Sequence, residues 1–152
     1  MKNKNILIII GIIILITIII SLNLNLKSKI NLSEQYYQYG TIKDITKEEL
    51  LTKINNKENF ILFTNNNFCT FKISCEEIFK ESAQELNITI LKIPFDEFKT
   101  TKLHDTIKFA PSVIIIKDGK IIEYLDPEKN DDLSKYQDKK EFTSWIKEYI
   151  NI

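Results

Sequence analysis

The chain opens on an unbroken apolar pattern. Ile6 to Ile20 read ILIIIGIIILITIII, interrupted only by Gly11 and Thr17. As a helix those positions span about 22 Å, short of the roughly 30 Å hydrocarbon core of a bilayer. Adding Ser21 to Leu26 (SLNLNL) brings the length to about 31 Å, with Ser and Asn near one interface. No charge lies between Lys4 and Lys27, which leaves such a helix no solvated face. The expectation is an uncleaved transmembrane anchor over 6–26, behind a short cytoplasmic N-terminus over 1–5. A cleaved signal peptide has the same basic start and apolar middle. Here, however, no A-x-A-like site follows the run, and no Cys there can accept a lipid. Lys2 and Lys4 compete with Lys27 and Lys29 over orientation, and the N-terminus is too short to need export. The bulk of the chain is therefore expected outside. Residues 27–40 read as a polar tether, with Tyr36, Tyr37 and Tyr39 as an edge strand or the start of the fold.

From residue 41 to 152 the pattern alternates between periods of strand and helix. Thr41 to Ile45 suggests a short strand. Thr46 and Glu49 form a capping box ahead of the helical stripe Leu50, Leu51 and Ile54. Phe60 to Thr64 (FILFT) is continuously apolar, as in a strand covered on both faces. A helix is expected up to Leu86, with Ile78, Phe79, Ala83 and Leu86 inward. The next strand is Ile88 to Ile93, stopped by Pro94. A short helix is expected around Lys99 to Ile107. Ser112 to Lys117, the pair Asp118-Gly119, and Lys120 to Leu125 give a hairpin. Asp126 to Asp132 reads as a solvated acidic loop, lacking the Gly and bidentate Glu of a calcium loop at the required positions. Asp138 and Glu141 suggest a second capping box, opening a last helix with Phe142, Trp145, Ile146 and Tyr149 on one face. The order is that of an α/β layer fold ending in an antiparallel hairpin and a helix.

Composition narrows the functional classes. The 152 residues hold 21 Lys, no Arg, and 21 Asp plus Glu, and every acid lies at or beyond Glu34. Only 17 of the Lys residues share that part, so it carries about −4, which does not suit nucleic-acid binding. Without Arg there is no bidentate phosphate fork. No glycine-rich phosphate loop, G-x-S-x-G motif or Cys/His zinc spacing occurs. His104, the sole histidine, reads as a solvated helix residue.

Two features carry chemistry. Cys69 leaves the FILFT strand in a loop, and Cys75 opens the following helix, where Ser74 and Glu77 would cap it. Backbone N–H groups at a helix start favour a thiolate, and a second thiol nearby can resolve a mixed disulfide. Pro111, in FAPSVIII, stands at the head of a strand where it cannot donate to a ladder; such a proline marks a special turn, sometimes cis.

With these residues, 41–152 resembles the thioredoxin-like superfamily: an apolar strand before Cys69, a helix after Cys75, the segment FAPSVIIIKDGKII, and a closing helix. The resemblance implies a three-layer α/β sandwich with a mixed central sheet. It also implies a cis-proline at Pro111 facing the thiols, and Ala110 offering its backbone to an extended peptide. The layout is similar to anchored thioredoxin-like proteins that low-GC Gram-positive bacteria keep outside the membrane, some of them accessory proteins for exported bacteriocins. The sequence also departs from the family. Its motif is C-x5-C where the family has C-x-x-C, and on a regular helix positions six apart differ by about 240°. Phe63 stands in place of the buried acid many members carry, and Phe68 in place of the usual Trp. Either Cys69 or Cys75 fits the role of nucleophile. Two functions follow. One is a membrane-anchored thiol-disulfide oxidoreductase acting on exported proteins, with Cys69 and Cys75 catalytic and no dissociable cofactor. The other is a non-catalytic binding module whose Cys69-Cys75 disulfide stabilises a loop by about 2 kcal/mol or more.

Overall fold

A computed structural model describes residues 28–66 and 74–152. The apolar run 6–26, Phe68 and Cys69 lie outside the described residues. Among those described, no helix is long and apolar enough to cross a membrane.

Five strands make one mixed sheet. They are β1 (Thr41–Asp44), β2 (Phe60–Asn65), β3 (Thr89–Pro94), β4 (Ser112–Lys117) and β5 (Lys120–Leu125), in spatial order β1-β3-β2-β4-β5. β1, β3 and β2 run parallel, with Ile61 and Leu62 opposite Ile90 and Leu91. β4 and β5 are antiparallel, with Phe63 opposite Val113 and an irregularity between Ile115 and Ile116. The continuous apolar runs became the central strands: Phe60 through Phe63 and Val113 through Ile116 are all buried.

Helices cover both faces. Side chains alternate along a strand, so Phe60 and Phe63 point to opposite sides. Phe63 meets Phe79 of α2 (Cys75–Leu86) edge-on at 5.1 Å between ring centroids. Phe60 meets Tyr36, which lies beneath Lys53 of α1 (Lys47–Asn55). On the Phe63 side Phe79 continues to Phe142 at 4.3 Å, and Thr143 Oγ1 donates to Ser82 Oγ in a buried contact at 3.1 Å. Phe142 and Thr143 belong to α5 (Lys139–Tyr149).

Local chemistry sets the helix ends. Thr46 and Glu49 form the reciprocal capping box of α1. Asp138 caps α5 by accepting from the N–H groups of Lys140 and Glu141 at 2.7 and 3.0 Å. Asn87 closes α2 in the left-handed region, its N–H donating to Gln84 and that of Ile88 to Ala83. Gly119, at φ 73°, turns the β4–β5 hairpin against α1. A Cβ there would lie 2.5 Å from the Ile54 carbonyl oxygen.

Three expectations are corrected and one alternative is decided. Residues 30–40 are no free tether: Ile30, Leu32 and Tyr36 are buried, and the Ile30 N–H donates to Tyr149 while its carbonyl accepts from Asn151. Of the two alternatives for Tyr36, Tyr37 and Tyr39, the start of the fold holds and the edge strand does not: the segment forms a 3-10 turn (Glu34–Tyr36) and one bridge, Tyr37 to Ile88. The helix expected over Lys99 to Ile107 is instead α3 (Phe95–Phe98), begun at Pro94, and a 3-10 turn (Lys102–Asp105). The acidic loop is in part α4 (Asn130–Gln137), whose Tyr136 is fully buried. Its mostly polar surface hides the amphipathic period on which a helix expectation depends.

Phe79 holds α2 to the sheet and to two other helices. Phe79→Ala is expected to cost about 3–5 kcal/mol in urea unfolding of the full chain, against about 1 kcal/mol for the cap variant Thr46→Ala.

Candidate functional site

The site forms where β2 leaves the sheet. Cys75 is the first residue of α2 and is 2% exposed. The helix starts where the sequence suggests but without the expected box. The Ser74 side chain makes no capping bond, and only its carbonyl engages the Glu77 N–H, at 3.0 Å. Two opposed fields act on the thiol: the helix N-terminus favours a thiolate, whereas Glu76 and Glu77 in the first turn disfavour it.

Lys92 of β3 offsets one of those charges. Its Nζ donates to Glu76 at 2.7 Å and lies 3.1 Å from an Asp44 carboxylate oxygen. Burial alone would lower the Lys92 pKa, but the hydrogen bonds and charges of Glu76 and Asp44 together raise it. Asp44, Asn65, Asn66, Lys92, Pro94, Phe95 and Asp96 line an open cleft of about 510 Å³. It lies at the carboxyl ends of β1, β2 and β3.

The peptide bond between Ala110 and Pro111 is cis. Two side chains hold the turn around it. Asn66 Nδ2 donates to the Ala110 carbonyl at 3.2 Å, and Ser112 Oγ donates to the Phe109 carbonyl at 2.7 Å. Ser112 pairs with Thr64 across β2 and β4, so Pro111 is placed beside the strand end that leads toward Cys69. Phe109, next in line, is 49% exposed.

Beneath lies Tyr136. Cys75 and Phe79 are four residues apart on α2 and share a face, and the Tyr136 ring is 5.9 Å from that of Phe79. The Tyr136 phenol is fully buried, with the Ser112 hydroxyl beside it. Burial, with the nearby Asp132 charge, raises its pKa; the hydroxyl of Ser112 pulls the other way, and Cys75 and Asp126 add to the rise.

The structure thus places three of the four expected site residues: Cys75 at the helix start, and Ala110 and Pro111 at the cis bond. Cys69 lies outside the described residues. Phe63 occupies its strand position as an apolar core residue, 1% exposed. His104 is half-buried, with Nδ1 2.7 Å from the Ile107 carbonyl and its ring edge-on to Phe95. Among the described residues no cluster of His, Cys, Asp and Glu can hold a metal ion. Sequence reasoning missed Lys92, Asn66 and Tyr136. Of these only Lys92 left a signal, a lone charge inside the apolar strand ITILKI.

No protein-family model matches the sequence. No curated protein matches it either. The fold does match solved structures. A mutant thioredoxin from Halobacterium salinarum NRC-1 superposes with a TM-score of 0.54 at 13% identity, covering 74% of this chain and 94% of the other. Thioredoxin from Trypanosoma brucei brucei gives 0.50 at 15% identity, covering 72% and 94%. The described residues therefore adopt the α/β thioredoxin fold with a mixed five-stranded sheet.

The Lys92 contacts have a pH signature. A raised lysine pKa stabilises the fold fully below the unfolded value of about 10.4, and the benefit is lost as pH rises through the folded one. Lys92→Met is expected to cost about 1 kcal/mol at neutral pH in denaturant unfolding. The difference from the unmodified chain should shrink above about pH 10.4.

Proposed function

We propose that the chain is a membrane-anchored thiol-disulfide oxidoreductase acting on exported proteins, with residues 6–26 as its single-pass anchor and the domain outside. The observation that carries this reading is the cis Ala110-Pro111 bond in a thioredoxin fold whose α2 starts on a buried cysteine. In this mechanism the Cys69 thiolate attacks a substrate disulfide. One new S–S bond joins Cys69 to the substrate, and the other substrate sulfur leaves as a thiolate. Cys75 then attacks Cys69 and releases the second substrate thiolate, which takes up the proton that Cys75 gave up. Two electrons pass from the cysteine pair to the substrate, and a redox partner restores the pair. The burial of Cys75 supports its role as the resolving thiol, since an external disulfide cannot approach a sulfur so enclosed. Ala110 and Pro111 would hold an extended peptide beside the sulfurs.

A second reading, a non-catalytic binding module locked by a Cys69-Cys75 disulfide, is favoured by Phe63. That position is filled by a ring packed on Phe79, leaving no acid there to accept a proton.

Equilibration of the full chain with glutathione buffers, with thiols counted by mass, separates the two. The oxidoreductase exchanges readily, and Cys75→Ser accumulates a mixed disulfide through Cys69. A bond that resists reduction until the chain unfolds, with no trapped species, identifies the binding module. Protease added to intact cells should digest the domain, and protection would place it inside.

A further inference from the structure

The chain enters the domain at the end of the sheet opposite Cys75. There the Ile30 N–H donates to Tyr149 and its carbonyl accepts from Asn151. Asn59, just before β2, gathers the segments around this entry. Its N–H donates to Ser33 Oγ at 2.9 Å, its Nδ2 donates to the Asn31 carbonyl at 2.9 Å, and its Oδ1 accepts from the Asp118 N–H at 2.8 Å. These bonds bring four exposed lysines to one end of the molecule. They are Lys29 on the entering chain, Lys57 after α1, and Lys117 and Lys120, opposite each other in the β4–β5 hairpin. Among the described residues none of the four pairs with a carboxylate. Glu58 is already held by Lys53, Tyr36 and Gln35, and on α5 Lys147 and Glu148 offset one another. The exposed Asp118 and Glu34 oppose the four lysines only in part. This end is therefore basic, in a domain that holds 17 Lys against 21 acids from Glu34 onward.

We propose that this basic end is a docking surface for anionic phospholipid headgroups, which sets the domain upright on the membrane with its cysteine end turned away. The inference rests on the anchored reading and extends it to how the domain sits. The apolar run ends at Leu26, four positions before the clasped Ile30, so at most about 14 Å of chain separates them. So short a link keeps the domain near the bilayer, and charge then selects the face it presents. Lysines within a Debye length of an anionic leaflet are drawn to it, while the acidic remainder is repelled, so one field draws this end in and turns the other outward. β2 begins just after Asn59, and its six residues span about 20 Å. Thr64, near its far end, pairs with Ser112, the residue after Pro111. Cys75 and the cis bond therefore stand about 20 Å farther from the bilayer than the lysines do. That placement suits partners whose disulfides stand clear of the membrane, as in exported soluble proteins, over bonds lying at the bilayer surface.

The test uses the full chain in lipid nanodiscs of phosphatidylcholine, with or without phosphatidylglycerol, labelled by an amine-acylating reagent and read by mass. Acylation of Lys57, Lys117 and Lys120 should slow about tenfold in the anionic discs and recover in high salt. Lys102 and Lys108, exposed on the segment that joins the far ends of β3 and β4, should react alike in both. Lys117→Gln combined with Lys120→Gln should restore Lys57 labelling in the anionic discs and leave the thermal midpoint level, since neither lysine is paired in the fold. Equal labelling of Lys57, Lys117 and Lys120 in the two lipids overturns the proposal. Flotation with vesicles of the same two compositions separates this proposal from the anchored reading. Retention on both vesicles through a salt wash, with labelling that ignores the lipid, keeps the anchor and removes the docking surface. If the chain floats only with anionic vesicles and leaves them in salt, the surface stands and the anchor is the part that fails. Flotation with neither removes both.

Discussion

One aromatic ring organises the working half of the molecule. Phe79 touches Phe63 of the central strand, Phe142 of the last helix and Tyr136 of α4. Each contact of this kind adds about 0.5–1.5 kcal/mol beyond simple burial, and together they leave α2 little freedom to tilt or slide. Cys75, one turn before Phe79, inherits that rigidity. A thiol that must meet a second sulfur depends on such fixity, because a small misplacement of reacting atoms costs orders of magnitude in rate.

The fold was legible wherever burial and sequence period agree. The runs FILFT and SVIIIK could lie only in strands covered on both sides, and Thr46 with Glu49 announced α1 through a bond pattern any helix needs. The turn pair Asp118-Gly119 was equally plain, with both residues at positive φ. Legibility failed where tertiary contacts overrode local pattern. Asn130–Gln137 is acidic and mostly polar, and forms a helix whose deepest anchor is the single side chain Tyr136. Ile30 and Leu32 looked like isolated apolar positions in a polar stretch, but they complete a core whose other half is supplied from the far end of the chain.

The candidate site divides along the same line. A proline at the head of a strand and a cysteine at a helix start are local signals, and both occupy the positions expected of them. Asn66 acts on Ala110 across 44 residues of separation, and no local pattern shows such a pairing. Phe63 could be read directly as an apolar residue of a buried strand, but its packing on Phe79 could not. The charge at the start of α2 is met from the sheet, where Lys92 of β3 bonds Glu76.

The clasp at Ile30 also has a mechanical side. Its N–H and carbonyl bond the chain on either side of Ile150, so residues near the two ends of the sequence run alongside one another. Any tension applied through the N-terminal segment enters at this pair of bonds and loads the final turn of α5 before it reaches the sheet. Cys75, beyond the opposite end of β2, lies away from that load path, and the first element to yield under load would be the carboxyl-terminal tail.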